Sequence, residues 1–541
     1  MRKALREPSL VLALLIVAIL LLAFVIYPQV RVVVLPGFEG YVEFLAGRSW
    51  VRPLINSLQI TVLGTTTATL LGFIYAYSMV YSQMRWKPFF RLVGLLPLMS
   101  PPFVVAASYI LLFGPRGIIS YHIFGQSPNV LGLGGLWGVQ TIAFFPFAYQ
   151  LIADVLSRSD PRLEQAAHNL GAGHWQVFRT VTLPLVRPGL LSATLMTAIY
   201  IVEDFGNPAL IGGRYTVLST QAYGLITGFG DLPGAAAVST ILLLIALVLY
   251  LIRLRLEGRR SYVTVTGRTG SIPRPPVPKI VSRLCFVACL VLAILILLVY
   301  GVLIVSALVV SFPNNMNFTL ENFAYVGAHA TSLRNTLVYA GAAAIFSGLL
   351  AVLMGYLVQR RNWPGRRVVD FIAIMPAAVP GIFFGIGYAA AFNQPAFDWL
   401  DRGALITISF IFWNIPIGYQ ATMGGLQQID RSIDEAATSL GASSMRSLRD
   451  ILFPMLNSAF LTGAVTTFVR AVTTLSVVIF LFTPRTTTAT ITIFQLVNDF
   501  NWGGATAFTV AVIGMAILVL ALVWFISGRR GGFRGIQPGG V

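Results

Sequence analysis

The sequence predicts an all-α membrane protein of twelve transmembrane helices in two parallel six-helix repeats, and three observations carry that reading. Hydrophobic residues make up 56% of the 541 and charged ones 10%, with a mean hydropathy of +0.80, far outside the soluble globular range. The apolar residues fall into runs of about 20, each long enough to cross roughly 30 Å of hydrocarbon as a helix. Two near-copies of one polar stretch, EQAAHNLGAG from Glu164 and DEAATSLGAS from Asp434, stand 270 residues apart.

The first run, 9–27, follows Met1-Arg-Lys and continues into FVIYPQVRVVV with no small-residue cleavage site, so it reads as a retained span and not a removable signal. Runs at 57–80, 92–114, 131–155, 188–211 and 234–252 complete a set of six. The stretch EGRRSYVTVTGRTGSIPRPPVPK follows, rich in Gly, Pro and Arg, without apolar period and too short to bury a core of its own. It divides the chain into a first half, 1–256, a cytoplasmic linker, 257–283, and a second half, 284–541. The second half carries runs at 284–311, 334–358, 368–392, 404–426, 458–482 and 504–527, and ends in GRRGGFRGIQPGGV, a basic tail read as a mobile anchor. Cys285 and Cys289, four apart in the seventh run, read as packing residues and not as a disulfide or metal pair.

The halves align in two registers. Asn56 falls on Asn335, and Pro97, Pro101 and Tyr109 fall on Pro376, Pro380 and Tyr388, all at an offset of 279. Pro146, Tyr149 and Gln150 fall on Pro416, Tyr419 and Gln420 at 270, the offset of the polar stretches. The first half therefore carries nine extra residues between its third and fourth spans, in GPRGIISYHIFGQSPNV, and external loops absorb insertions best. Six is an even number of spans, so both halves enter and leave on one side and are parallel repeats.

A net charge of +18 on a soluble domain would point to nucleic acid. Here the 37 Lys and Arg follow the spans and concentrate on one side, which the positive-inside rule makes cytoplasmic, with both termini there. The basic excess orients the protein in the bilayer and calls for no nucleic acid.

Both polar stretches lie on that side, between the fourth and fifth spans of their half, and each reads as two short helices. In the first, Asp160-Pro161 is an N-cap and N1 pair, Leu163, Ala166, Ala167 and Leu170 repeat at helical spacing, and Gly171 ends the helix. Trp175, Phe178 and Val181 give the second helix an apolar side, and Pro184 is expected to stop it before the fifth span. The second copy repeats the order with Asp430; Ile433, Ala436, Ala437, Leu440; Gly441; Met445, Leu448, Ile451; and Pro454. A short amphipathic helix pair suits insertion into a groove on a partner.

These stretches resemble the EAA loop of the permease subunits of ABC importers, whose pattern is E-A-A, three residues, Gly, nine residues, then I-x-L-P. The second copy supplies Glu435-Ala436-Ala437, Gly441 and Ile451-Leu-Phe-Pro454, and the first supplies Gln165-Ala166-Ala167, Gly171 and Val181-Thr-Leu-Pro184, with Gln165 where the pattern has Glu. The resemblance implies the type I ABC importer permease fold, with these loops as coupling helices seated on two copies of a cytoplasmic ABC ATPase subunit. It also implies an extracytoplasmic solute-binding protein as partner. Most of the chain resembles the double-length permeases of iron(III) importers, in which both permease halves are one polypeptide. Thiamine, phosphonate and sugar-phosphate importers share that plan, and polyamine permeases are single-length relatives, so the resemblance is less specific for substrate than for fold. A twelve-span secondary transporter is the alternative class.

The chain does not carry its own nucleotide site. A P-loop needs Gly-Lys before Ser or Thr, yet the only lysines are Lys3, Lys87 and Lys279, and none follows a glycine. Hydrolysis of ATP is assigned to a separate chain, and no catalytic residue and no cofactor are assigned to this one. The four histidines are scattered over loops, so no metal site is predicted.

Three charges fall inside apolar runs: Glu203 and Asp204 in the fifth, and Arg470 in the eleventh. Each costs roughly 2.5–3.5 kcal/mol if it faces lipid, so each is expected to face protein or a water-filled path. The acids align with Thr473 and Thr474, close to Arg470 on the equivalent span, and the three are candidates for a gate, a pathway lining or a static ion pair.

Overall fold

The computed structural model describes residues 7–257 and 274–528. Met1-Arg-Lys, most of the inter-repeat linker and the basic tail lie outside the described residues. Helices dominate, because in hydrocarbon each backbone N–H and C=O must be satisfied within its own segment.

In the first repeat, α1 (Pro8–Val34) is one continuous helix, followed by α2 (Gly37–Gly47), α3 (Val51–Tyr81), α4 (Lys87–Leu95) and α5 (Phe103–Phe113). Next come α6 (Leu133–Arg158), the short α7 (Pro161–Asn169), α8 (His174–Val202), α9 (Gly206–Ile211), α10 (Leu218–Phe229) and α11 (Leu232–Glu257). The second repeat opens with α12 (Lys279–Ala307) and an antiparallel hairpin, β1 (Val309–Ser311) and β2 (Asn315–Phe318), which the apolar pattern does not announce. It continues through α13 (Ala330–Gln359), α14 (Arg366–Ala378), α15 (Gly381–Phe392), α16 (Arg402–Gln428) and α17 (Arg431–Ser439). It ends with α18 (Ser444–Met455), α19 (Asn457–Thr473), α20 (Ala489–Asn498) and α21 (Trp502–Gly528).

Among the described residues ten helices are long and apolar enough to cross a membrane, and twelve spans result if each of two bent pairs is counted as one. One pair is α14 and α15, bent by 112°, and the other is α18 and α19, bent by 76°. The run at 92–114 is likewise divided, between α4 and α5, and the run at 188–211 stops at Val202 and resumes as α9. The fifth span is therefore not one helix to residue 211.

The two repeats reproduce each other atom for atom at several joints. Asn56 Nδ2 donates to the carbonyl of Thr216 at 2.8 Å, and Asn335 Nδ2 donates to those of Arg485 and Thr487 at 3.0 and 3.1 Å. The next residue accepts from the following helix in both: Leu218 N donates to Ser57 Oγ and Ala489 N to Thr336 Oγ1. Where α3 meets α6, a Cβ on Gly72 would lie 2.7 Å from Ala148 Cβ. The same crossing of α13 and α16 reverses the pair, with Ala351 packed on Gly418, where a Cβ would lie 3.0 Å away.

Two compact units form, neither contiguous in sequence. One gathers the described residues within 1–49, 221–243 and 320–540, and the other those within 50–220 and 244–319. In the former, α1 packs on α15: Tyr388 donates to the Phe24 carbonyl at 2.7 Å, and Gly387 lets the Pro28 carbonyl approach to within 2.9 Å of where a Cβ would stand. The Phe24 ring stacks on Phe412 with centroids 5.3 Å apart. In the latter, α12 packs on α3, α4 and α5, with Phe286 edge-on to Phe90 at 5.7 Å and the hydroxyls of Tyr300 and Ser100 at 2.6 Å. Each unit thus takes its opening helix from the other repeat.

Candidate functional site

The duplicated loop folds as its sequence dictates at both ends of its first helix. Asp160 Oδ1 accepts the amide of Arg162 at 2.9 Å, and Asp430 Oδ1 that of Ser432 at 2.8 Å, each satisfying an orphan N–H of the first turn. The Ser432 amide and hydroxyl hold the Asp430 carboxyl below the usual aspartate range. At the other end Gly171 and Gly441 take φ of +87° and +83°. The amides of Ala172 and Ala442 then reach back to the carbonyls of Ala167 and Ala437 at 3.1 and 3.0 Å, closing the left-handed turn that favours glycine.

The helical stripe read from sequence divides between two surroundings. Leu163, Ala166 and Leu170 are exposed, Leu170 by 89%, and so are Ala436 and Leu440, again 89% for the leucine. Ala167 is half-buried and Ala437 buried, turned toward the body of the protein, whereas Gln165 is half-buried and Glu435 exposed. Trp175 adds a further exposed ring, stacked on Phe178 at 5.5 Å. Each loop therefore offers an apolar ridge that its own unit leaves uncovered.

Pro184 does not stop its helix, whereas the helix of the second copy ends at Met455, one residue past Pro454. In both copies the chain passes through five π-helical residues, Phe178–Thr182 and Leu448–Leu452, and the proline follows within the same helix. A proline lacks the amide that would bond four residues back and crowds that carbonyl; the widened turn takes up the mismatch. The first copy then runs straight into the fifth span, while the second bends after Met455.

An acidic residue that the sequence reading passes over anchors each loop. Glu164 and Asp434, the opening residues of the two stretches, are buried with 3% and 7% exposure. Glu164 Oε1 accepts from Tyr81 at 2.7 Å and from Thr182 at 3.0 Å, and Asp434 Oδ1 accepts from Ser447 at 2.5 Å and from Arg361 at 3.4 Å. The signal was available, since both copies begin on a carboxylate at the shared offset. The charge facing inward belongs to this residue, one place before Gln165 and Glu435.

The intramembrane charges sit at helix breaks. Glu203 closes α8, its amide bonded to the carbonyl of Ile199. Asp204, buried at the break, accepts from Gln140 Nε2 at 2.8 Å, Asn207 Nδ2 at 2.9 Å and the Asn207 amide at 3.4 Å, while its carbonyl accepts from Ser219 at 2.7 Å. These bonds tie α6, α9 and α10 to the end of α8. Arg470, in the last turn of α19, lies with its guanidinium 4.9 Å from the centroid of Trp413 on α16, a cation–π contact. The Asp204 carboxylate and the Arg470 guanidinium each find these contacts inside their own unit. Among the described residues no three His, Cys, Asp or Glu side chains converge as a metal site.

Comparison with known proteins gives the family. The family model for the binding-protein-dependent transport system inner membrane component matches twice, over residues 68–262 and 347–530, once in each repeat and across the loop of each. The chain is 31% identical to the ferric transport system permease protein FbpB of Actinobacillus pleuropneumoniae over 96% of its own length and 78% of the relative's. It is 22% identical to the Fe(3+)-transport system permease protein FbpB 2 of Haemophilus influenzae, over 88% of this chain and 90% of that one. The sulfate transport system permease protein CysT of Salmonella typhimurium is 26% identical over 36% of this chain and 76% of its own, the extent of a single repeat. The protein therefore belongs to the inner membrane permease components of binding-protein-dependent ABC importers, in the double-length form that carries both permease halves on one polypeptide.

Proposed function

We propose that this permease moves a small solute inward, ferric iron first among the choices, by alternating access driven by two copies of a separate cytoplasmic ATPase that dock on the loops at Gln165–Pro184 and Glu435–Pro454. An extracytoplasmic solute-binding protein delivers the cargo. Both termini and the linker face the cytoplasm, as the basic residues dictate. One observation carries the reading: two copies of one capped helix, each anchored inward by a buried carboxylate, expose Leu170 and Leu440 beside a polar face. Exposed leucines at a helix end are what a groove on a partner takes up. Iron as cargo rests on the names of the full-length relatives.

Glu203, Asp204 and Arg470 are proposed to belong to the gate or the pathway, because ionisable residues within the bilayer are rare and mark such sites.

Gln165→Arg together with Glu435→Arg, or Gly441→Pro alone, should leave membrane insertion intact, weaken co-purification of the ATPase and abolish uptake of labelled ferric iron. Normal pull-down with normal uptake in these variants would remove the coupling assignment. Normal pull-down and ATP-driven uptake of another solute in the unmodified protein, with none of iron, would keep the coupling and replace the substrate.

A further inference from the structure

The last stretch of the inter-repeat linker is described from Arg274 onward, and that residue reaches the base of the first loop. Its Nη2 donates to the carbonyls of Leu156, Ser157 and Ser159 at 2.7, 3.0 and 3.1 Å. Its Nη1 donates to the hydroxyls of Tyr81 and Ser159 at 2.8 and 3.0 Å and lies 3.9 Å from Glu164 Oε1. The guanidinium also lies 4.8 Å from the centroid of the Tyr81 ring. Leu156 and Ser157 belong to the last turn of α6, where carbonyls have no partner within the helix and the dipole is negative. Ser159 is the joint between α6 and the loop helix. A planar fork with five donors fits several carbonyls at once.

The second repeat performs the same task with its own residues. Arg360 Nη2, one residue past the end of α13, donates to the carbonyls of Leu426 and Ile429 at 2.8 and 2.5 Å, the positions equivalent to Leu156 and Ser159. Arg361 beside it donates to the Tyr356 hydroxyl and to Asp434, the equivalent of Glu164. The first repeat lacks both arginines, since Tyr81 and Ser82 occupy those places at the offset of 279. One guanidinium from the linker engages both sets of acceptors that the second repeat divides between two.

We propose that Arg274 is the positioning residue of the first coupling loop, supplied by the linker to replace the arginine pair that the first repeat lacks. The linker is thereby a working part of the coupling apparatus as well as a tether. This rests on the coupling reading only for its effect on transport; the clamp itself is a property of the permease alone. Before α1, Glu7 touches the second loop at a different point, its Oε2 accepting the amide of Ser444 at 3.1 Å. The segment leading into each opening helix thus touches the loop of the unit that helix joins.

Amide exchange over residues 159–171 in the purified full-length permease, without ATPase, reads the clamp directly. Arg274→Gln should speed exchange there by about tenfold, as expected for loss of charge-assisted bonds to a helix end, with residues 429–441 unchanged. Arg274→Lys, which keeps the charge and loses the fork, should recover little of the protection. Tyr81→Arg in the Arg274→Gln background restores a guanidinium at the position Arg360 uses, and should return exchange to within about threefold of the original. Unchanged exchange in Arg274→Gln, or no recovery in the double variant, would overturn the proposal. If Arg274→Gln does not accumulate in membranes, accumulation of the double variant supports the clamp and its failure overturns it. The exchange readout is separable from the coupling reading: if exchange responds as stated while ATPase pull-down and uptake do not, the clamp stands and the docking of the ATPase on this loop falls.

Discussion

Asp204 shows what a buried charge does at the scale of one residue. Its carboxylate collects donors from Gln140 and Asn207, so removing it strands two buried amides. Asp204→Ala should lower stability in detergent by about 1–3 kcal/mol, read as an earlier thermal loss of the monodisperse peak. Asp204→Asn keeps one acceptor oxygen and should fall between. If both variants are fully stable and both abolish uptake, the residue serves the pathway and not the joint. The sequence disclosed that these three charges needed company, but not which. Gln140 and Asn207 are ordinary amides in apolar runs, and Trp413 is one aromatic among many, so no pattern in one dimension singles them out. The same holds for the inward carboxylates. Glu164 and Asp434 were visible as a repeated letter, whereas their partners Tyr81 and Arg361 lie 83 and 73 residues away.

At the scale of helices, periodicity located nearly every span and failed where a span is broken. Hydropathy measures how apolar a run is and is blind to direction, so 368–392 reads as one span although the two helices there meet at 112°. The helix caps were legible because Asp-Pro and Gly carry their geometry locally. Pro184 misled for the same reason: its local effect is to break, and the π turn that accommodates it is set by the surrounding helix. Close helix crossings leave a mark only when the two repeats are compared. Gly72 against Ala148 and Ala351 against Gly418 are the same contact with the small residue exchanged. Gly72→Ala alone should push α3 from α6 and cost about 1–3 kcal/mol. Adding Ala148→Gly removes the methyl contact but leaves the Tyr149 amide, which a Cβ on Gly72 would meet at 2.8 Å, so it should recover only part of the loss, as checked by thermal melting of both variants. Equal loss in single and double variants would mean that the two crossings are not interchangeable.

For the whole molecule, the pairing of halves was readable from the doubled motif, whereas the exchange of opening helices was not, because nothing in an apolar run names its neighbour. That exchange makes a direct prediction. A fragment of residues 1–256 contains α1 without α15 and the α3–α8 body without α12, and the complementary fragment of 257–541 has the converse gap. Neither fragment expressed alone should accumulate in membranes, and co-expression should recover both, measured by immunodetection after membrane isolation. Stable accumulation of either fragment alone would show that the opening helices are dispensable for packing.

The exchange also sets an order of events during synthesis. Phe24 and the tyrosine hydroxyl that bonds its carbonyl are 364 residues apart, so α1 enters the bilayer long before the ribosome has made its seat. In the interval it must stand alone in lipid as a stable helix, the first stage of membrane folding. Its composition meets that demand, for its apolar 18-residue stretch has a mean hydropathy of 3.3, against 3.2 for α12 and as little as 1.3 among the other unbroken spans described. Helices delivered next to waiting neighbours can carry the polar side chains of a joint; a helix that arrives first has to be acceptable to lipid on every face.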